Sequence, residues 1–446
     1  MLFRRLWLLL WLAFGALLQQ ASGQQTTPLS ILHSNDLHAQ LLPTGADEGG
    51  FARLATAVQH EKANCAACIY LNAGDLVQGS PVSTIYEGLP IYRIANLLGL
   101  DAATLGNHDF DYGWRRTRQF ARIARYPVVS ANVVNEAGES ITGKPNVILK
   151  AGNLRVGIIG VVLSNLVTAA YVSAKDVEPW RVLPVLDTVR KQVLELRPQT
   201  DLLIVLGHID DAREVDAILR DIPEVSVVVA GHNHVAYPQM HKVDGRVAVL
   251  TDSFGTALGR LDLQVDAAAK KAVSANWRKI PIDKSIPEAP RVAGAVAKWE
   301  KKVARIVDVE IGQATQLIDK PAQVKLFEQA LVEETQADLV YVDPGSLRDQ
   351  HNIAPGKIMA RQIWAILPYD NVMVSGKFKG RELPEVVKQG KNIDPEREYT
   401  LAVSDFTATN QASPRQLNKS GLAFPAVGRR QRDLIIEWIE RKKVLP

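Results

Sequence analysis

The sequence predicts an α/β fold, with a layered domain followed by a smaller α/β domain. Three observations predict it. At 446 residues the chain exceeds what one ordinary core holds, so two domains are expected. Short apolar runs alternate with helical patterns through the first half, as in layered α/β domains. Around 286–306 that alternation gives way to a charged helical stretch opened by Pro287 and Pro290. Composition is globular, 47% hydrophobic and 22% charged, with no repeat or low-complexity tract.

Residues 1–23 are set apart first. Arg4 and Arg5 precede the apolar run 6–18, and Ala21 and Gly23 stand at small-residue cleavage positions. This is the pattern of a secretory signal peptide. The run is shorter than the ~20 apolar residues of a membrane helix. The mature chain is therefore expected from 24 onward, in the periplasm or secreted, without a stable membrane span. Losing Arg4 and Arg5 but no acid lowers the net charge from +4 to +2. That is too small, and too scattered, to imply binding of a nucleic-acid polymer. Cys65 and Cys68 are the two cysteines. They follow a helical stretch instead of opening one, so a structural pair is favoured over a redox motif, and export permits a local disulfide.

In the first domain, 24–285, strands are expected over 29–33, 69–72, 102–104, 128–130, 155–161, 202–206 and 225–230. Helices are expected over 51–62, 90–98, 114–124, 182–197 and 213–221. Residues 241–265 read as antiparallel, with Val-Asp-Gly-Arg at 243–246 as a hairpin signal. The stretch 286–306 is a helical link. The second domain, 307–446, carries strands over 339–342 and 400–403 and helices over 326–336 and 429–441.

Polar residues cluster just past the apolar strands. Asp36 and His38 follow the first, Asp75 the second, Asn107 and His108 the third, His208 a later one, and His232 and His234 the next. Ligands bind at such strand ends in α/β sheets. The i, i+2 spacing of Asp36 with His38 and of His232 with His234 would aim each pair one way on extended backbone. Gly74 and Gly231 permit tight turns into the site. Oxygen and imidazole donors without thiolate suit Mn, Fe, Zn or Co. Their number exceeds one tetrahedral ion and fits two ions sharing a carboxylate. Asp109 is expected to be solvated, or a support behind the ligands. His33, His60, His241 and His351 fit no ligand spacing, and Asp210 and Asp211 read as a helix cap.

The ordered set Asp-x-His, Gly-Asp-x-x-x-Gly, Gly-Asn-His-Asp, Gly-His and Gly-His-x-His resembles that of the calcineurin-like metallophosphoesterases. The flanks "ILHSNDLHAQLLP", "LNAGDLVQGSPVSTIYEG" and "LGNHDFDYG" resemble the secreted 5'-nucleotidase family, which includes UDP-sugar hydrolases and 2',3'-cyclic-nucleotide phosphodiesterases. The resemblance implies a four-layer αββα metallophosphoesterase domain and a 5'-nucleotidase-like substrate domain. It implies two divalent metal ions, one held by Asp36, His38, Asp75 and His234, the other by Asp75, Asn107, His208 and His232. His108, oriented by Asp111, would contact phosphate and stabilise the leaving oxygen while a metal-activated hydroxide attacks in line.

In the second domain Arg348 takes the family's phosphate-binding arginine position, and Tyr369 and Phe406 take its two stacking positions. Three departures stand beside this. Asp343 replaces the family's base-contacting asparagine, "TATNQASP" replaces Gly-Gly-Asp-Gly, and "LIDKPAQVKLFEQ" has lysines but no arginine. The implied activity is hydrolysis of small phosphoesters, nucleotides first, by a monomer. The alternatives are a thiosulfohydrolase-like relative and a metal-binding, non-catalytic one.

Overall fold

The computed structural model describes residues 25–166, 179–348, 351–409, 417 and 421–446. The expected signal segment, 1–23, lies outside the described residues, as does most of "TATNQASP". The first domain contains β1 (Thr27–Ser34), β2 (Cys68–Asn72), β3 (Ala102–Thr104), β4 (Val128–Val129), β5 (Val133–Val134), β6 (Asn146–Ala151), β7 (Leu154–Val162), β8 (Arg181–Val182), β9 (Leu202–His208), β10 (Val227–Gly231), β11 (His241–Val243), β12 (Arg246–Val249), β13 (Ala257–Asp266) and β14 (Lys271–Pro281). Two six-stranded sheets form, in the orders β14-β13-β1-β2-β3-β4 and β11-β12-β10-β9-β7-β6.

Alternating side chains explain the layers. In β1, Ile31 packs between the two sheets with Ile69, Ile158, Ile204 and Val229, while its neighbour Leu32 faces the other way, onto helix Phe51–Ala63. In β9, Ile204 faces the inter-sheet core and Leu203 and Val205 face helix Val185–Leu196. Strands covered on both faces read as continuous apolar runs. The result is four layers, αββα, as the resemblance implies.

β1, β2, β3 and β4 are parallel neighbours in one sheet, and β7, β9 and β10 in the other. Their carboxyl ends therefore meet along one edge. The 241–265 region is only partly antiparallel. β11 and β12 form the expected hairpin, with Val243 opposite Arg246, but β12 runs parallel to β10. Propensity marks the turn, whereas the partner across the sheet decides the direction.

Helix Pro290–Val307 lies where the link was expected. It buries Val292, Val296, Val303 and Val307 in the first domain's core. Cys65 and Cys68 are bonded to each other, closing the turn between helix Phe51–Ala63 and β2.

The second domain adds β15 (Glu310–Ala314), β16 (Leu339–Val340), β17 (Gly356–Met359), β18 (Val372–Lys379), β19 (Glu398–Ser404), β20 (Ala426–Arg430) and β21 (Val444–Leu445). They form a three-stranded sheet, β17-β15-β21, and a four-stranded sheet, β16-β19-β18-β20. Helix Lys320–Thr335 starts six residues before its expected position, because Asp319 caps it by accepting from the Ala322 N–H at 3.0 Å. Helix Gln431–Lys442 begins later than expected, because Arg429 and Arg430 belong to β20. The two helices share a core of Phe327, Leu331, Ile435 and Trp438.

Candidate active site

All seven expected metal ligands converge past the strand ends. Asp36, His38, Asp75 and His234 each place one ligand atom within 4.8 Å of the others. A second group adjoins it. His208 Nε2 lies 3.1 Å from Asp75 Oδ2 and 3.0 Å from Asn107 Oδ1, and His232 Nδ1 lies 3.1 Å from Asn107 Oδ1. Asp75 Oδ2 is also 3.7 Å from His38 Nε2, so one carboxylate stands between the two groups.

Backbone conformation, not extended alternation, aims these side chains. Asp36, His38, Asp75, His232 and His234 all have left-handed φ, at 48°, 44°, 53°, 90° and 61°. The i, i+2 expectation thus reaches the right convergence by the wrong geometry. The chain curls past each strand end, which folds both members of a pair over the same spot. Left-handed backbone costs a non-glycine residue roughly 1–3 kcal/mol and clusters where function demands it. Gly74 shares this conformation, and a Cβ there would sit 2.7 Å from the Gly106 nitrogen. At Gly231 the constraint is close approach, since a Cβ would meet the Ala73 carbonyl at 2.4 Å.

The donor set fits a cation. His208 Nδ1 donates to the Ala73 carbonyl at 2.8 Å, which fixes the tautomer and turns the Nε2 lone pair onto Asp75. A lone pair facing a carboxylate repels it unless a positive charge sits between them. Burial opposes charging His208, yet the carboxylates of Asp75 and Asp36 raise it to about 9. Without metal, a proton answers that demand, and a divalent cation answers it better. Burial, together with the nearby Arg348 charge, holds His38 well below the usual histidine range, and burial with His208 lowers His232 to about 4. Both are then neutral, as metal ligation requires.

His108 takes a different position. It sits in the turn Asn107–Phe110, and its Nδ1 lies 2.8 Å from Asp111 Oδ2. Its backbone N–H donates to Asp75 Oδ1 at 2.8 Å. Burial opposes its charge, but Asp111 and Asp75 raise its pKa above the ordinary value.

Asp109 is fully buried, not solvated. Its Oδ2 accepts from the Gly106 and Asp75 N–H groups at 2.8 and 3.2 Å, and Tyr92 donates to its Oδ1 at 3.2 Å. It ties two ligand loops together from behind. Burial, then the Asp75 charge, pushes its carboxyl up to about 7. The remaining histidines are structural or exposed. His33 is buried and accepts from the Trp277 indole N–H at 2.9 Å, His60 is exposed, and His241 pairs with Asp216 at 2.7 Å. His351 is partly buried and outside the cluster. Asp210 caps locally, accepting from the Arg213 N–H at 3.3 Å.

A cleft of about 840 Å³ lies between the domains beside this cluster. The first domain lends it His108 and Asp111, and the second lends Arg348, Tyr369 and Phe406. The Arg348 guanidinium lies 5.5 Å over the Tyr369 ring, and the His108 and Tyr369 rings are 6.0 Å apart. Asp343 is buried and accepts from the Gly345 N–H at 2.9 Å, so it shapes its own turn. Sequence reasoning did not single out Gln78, Tyr112, Trp364 or Arg430, which also wall the cleft. Gln78 lies within the quoted "GDLVQG" motif, while nothing local marks Arg430.

Comparison with known proteins agrees with this architecture. Residues 29–236 match the calcineurin-like phosphoesterase family and residues 303–389 the 5'-nucleotidase C-terminal domain. The Bos taurus 5'-nucleotidase is 30% identical over 361 residues, covering 71% of this chain and 60% of that protein. Protein UshA of Yersinia enterocolitica is 24% identical, covering 86% of each. A 5'-nucleotidase precursor from Thermus thermophilus superposes with a TM-score of 0.82 at 20% identity, over 94% of this chain and 97% of that one. The chain spans about 60% of the length of the mammalian 5'-nucleotidases it matches. With both domains matched in order along one continuous fold, the chain belongs to the calcineurin-like phosphoesterases that carry a 5'-nucleotidase C-terminal domain.

Proposed function

We propose that this protein is an exported hydrolase of nucleotide phosphate esters, of 5'-nucleotidase or cyclic-nucleotide phosphodiesterase type, working with two divalent metal ions. The observation that carries this reading is the double cluster around Asp75, with His208 held by Ala73 so that its Nε2 faces a carboxylate. Asp36, His38, Asp75 and His234 would hold one ion, and Asp75, Asn107, His208 and His232 the other. Bound there, such ions neutralise charge on a phosphoryl group and lower the pKa of water.

The chain's own residues do the rest. Asp111 occupies Nδ1 of His108 and leaves Nε2 for the substrate. Asp111 and Asp75 raise the pKa of that ring above the ordinary histidine value, which favours the charged form, whose Nε2–H would stabilise the phosphoryl group and pass a proton to the leaving oxygen. Arg348 supplies a planar cation for phosphate oxygens. Tyr369 and Phe406 offer flat apolar faces to a base. The same reading takes the protein as a monomer. The amino-terminal pattern of residues 1–23 supports export, and no helix among the described residues is long and apolar enough to cross a membrane.

The test is purified protein loaded with Mn, then Zn, assayed on AMP, UDP-glucose, 2',3'-cyclic AMP and bis(p-nitrophenyl) phosphate, alongside metal analysis. Hydrolysis of at least one, with about two ions per chain, is expected. No hydrolysis of any of the four overturns the reading.

A further inference from the structure

We infer that Gln78 is a direct phosphate-binding residue, donating its side-chain amide to a phosphoryl oxygen of the substrate. This rests on the phosphohydrolase reading above. Gln78 is 1% exposed, carries a left-handed φ of 69°, and walls the cleft beside His108 and Arg348. Such backbone is costly for glutamine and persists where its surroundings hold it in place. Here the backbone N–H donates to Ser83 Oγ at 3.0 Å, and the backbone carbonyl lies 3.1 Å from His38 Nδ1. The residue is thereby fixed between an expected metal ligand and the second domain.

Its side chain is only half satisfied. Arg348 Nη2 donates to Gln78 Oε1. Because a guanidinium can only donate, this contact assigns the amide, with the oxygen toward Arg348 and the NH₂ group turned away. Gln78 Nε2 is buried without a hydrogen-bond partner, and so is Arg348 Nε. Two orphaned donors on touching residues in one cleft are unfavourable in isolation. An anion with oxygens spaced like those of phosphate answers both. The arginine brings the charge, and the glutamine brings a second, neutral donor from the opposite domain. This also bears on the thinner cationic complement of the second domain, since a donor from the metal-bearing domain stands beside its arginine.

The test uses the metal-loaded full chain and inorganic phosphate as probe, with affinity read by calorimetry. Gln78→Asn is the first variant, because asparagine tolerates left-handed backbone but is one methylene too short. Gln78→Glu is the second, because it keeps the length and replaces the donor with an acceptor. Each should weaken phosphate binding about tenfold, with metal content and melting temperature unchanged. The same loss should appear when either is combined with Arg348→Ala. Unchanged affinity, or a loss that vanishes in the Arg348→Ala background, overturns the inference, since Gln78 would then only prop the arginine. Wild-type protein that binds no phosphate and hydrolyses no ester would instead overturn the phosphohydrolase reading.

Discussion

The expected metal cluster that backs the first domain's wall of the cleft and the wall lent by the second domain differ in how they are held. Asp36, His38, Asp75 and His208 are at most 1% exposed and cross-bonded through Asp109, Ala73 and Gln78. Arg348, Tyr369 and Phe406 are only half-buried. Loop 367–370, which carries Tyr369, is tied mainly by Arg432, which donates to the Leu367 and Tyr369 carbonyls at 3.1 and 2.8 Å. Chemistry that places charge within tenths of an ångström needs the first kind of wall. Recognition of a base needs flat apolar area and tolerates the second. The contrast predicts that changes in the first wall act on turnover and metal, and changes in the second on substrate affinity.

The strongest attempt to break the contrast is Asp75→Ala. It removes the carboxylate shared by both groups and the acceptor of the His108 N–H. Metal content should fall and turnover should drop about 10³-fold or more. Full metal occupancy by mass spectrometry would remove Asp75 from the centre of the site. His108→Ala comes next, with kcat reduced about 10²–10⁴-fold and metal retained. Loss of metal there would make His108 a ligand and void its assigned role.

On the second wall, Tyr369→Ala and Phe406→Ala should each raise KM about tenfold on a nucleotide and change kcat little. Neither should alter KM for bis(p-nitrophenyl) phosphate as much, because that ester offers no purine or pyrimidine. Equal effects on both substrates would deny the two rings a base-binding role.

The last effect concerns stability behind the first wall, away from the chemistry. His33 lies in β1, and burial lowers it to about 3 from an ordinary value of 6.5. Its folded pKa lies below its unfolded one, so the unfolded chain binds the extra proton. Its contribution is fully present above pH 6.5 and is lost as pH falls from 6.5 toward 3, by up to about 1.4 kcal/mol per pH unit. His33→Gln should flatten that part of the stability profile by chemical denaturation. A profile identical to wild type would show that His33 is not held neutral.

The two walls also differ in how far they were legible. Asp36, His38, Asp75, Asn107, His208, His232 and His234 each sit within a few residues of an apolar strand end, so local pattern points to them. The aim of their side chains was not legible, because left-handed φ at five of them is imposed by neighbouring loops. The sequence sets Asp109 apart from its polar neighbours but leaves it either solvated or a support behind them, and its burial against Tyr92 and two backbone N–H groups decides for the support. Gln78 gains meaning from Arg348, which lies 270 residues away in sequence.

By itself the sequence determined the layered α/β class and the set of donors at the strand ends. Short apolar runs alternating with helical patterns bury well as strands between covering layers, and the polar residues after them then emerge at the sheet edge. The tertiary structure alone decided how the backbone aims those donors, that Asp109 is a buried brace and not solvated, and that Gln78 meets Arg348 across the cleft. Those choices depend on distances between segments far apart in the chain, and no local propensity encodes such distances.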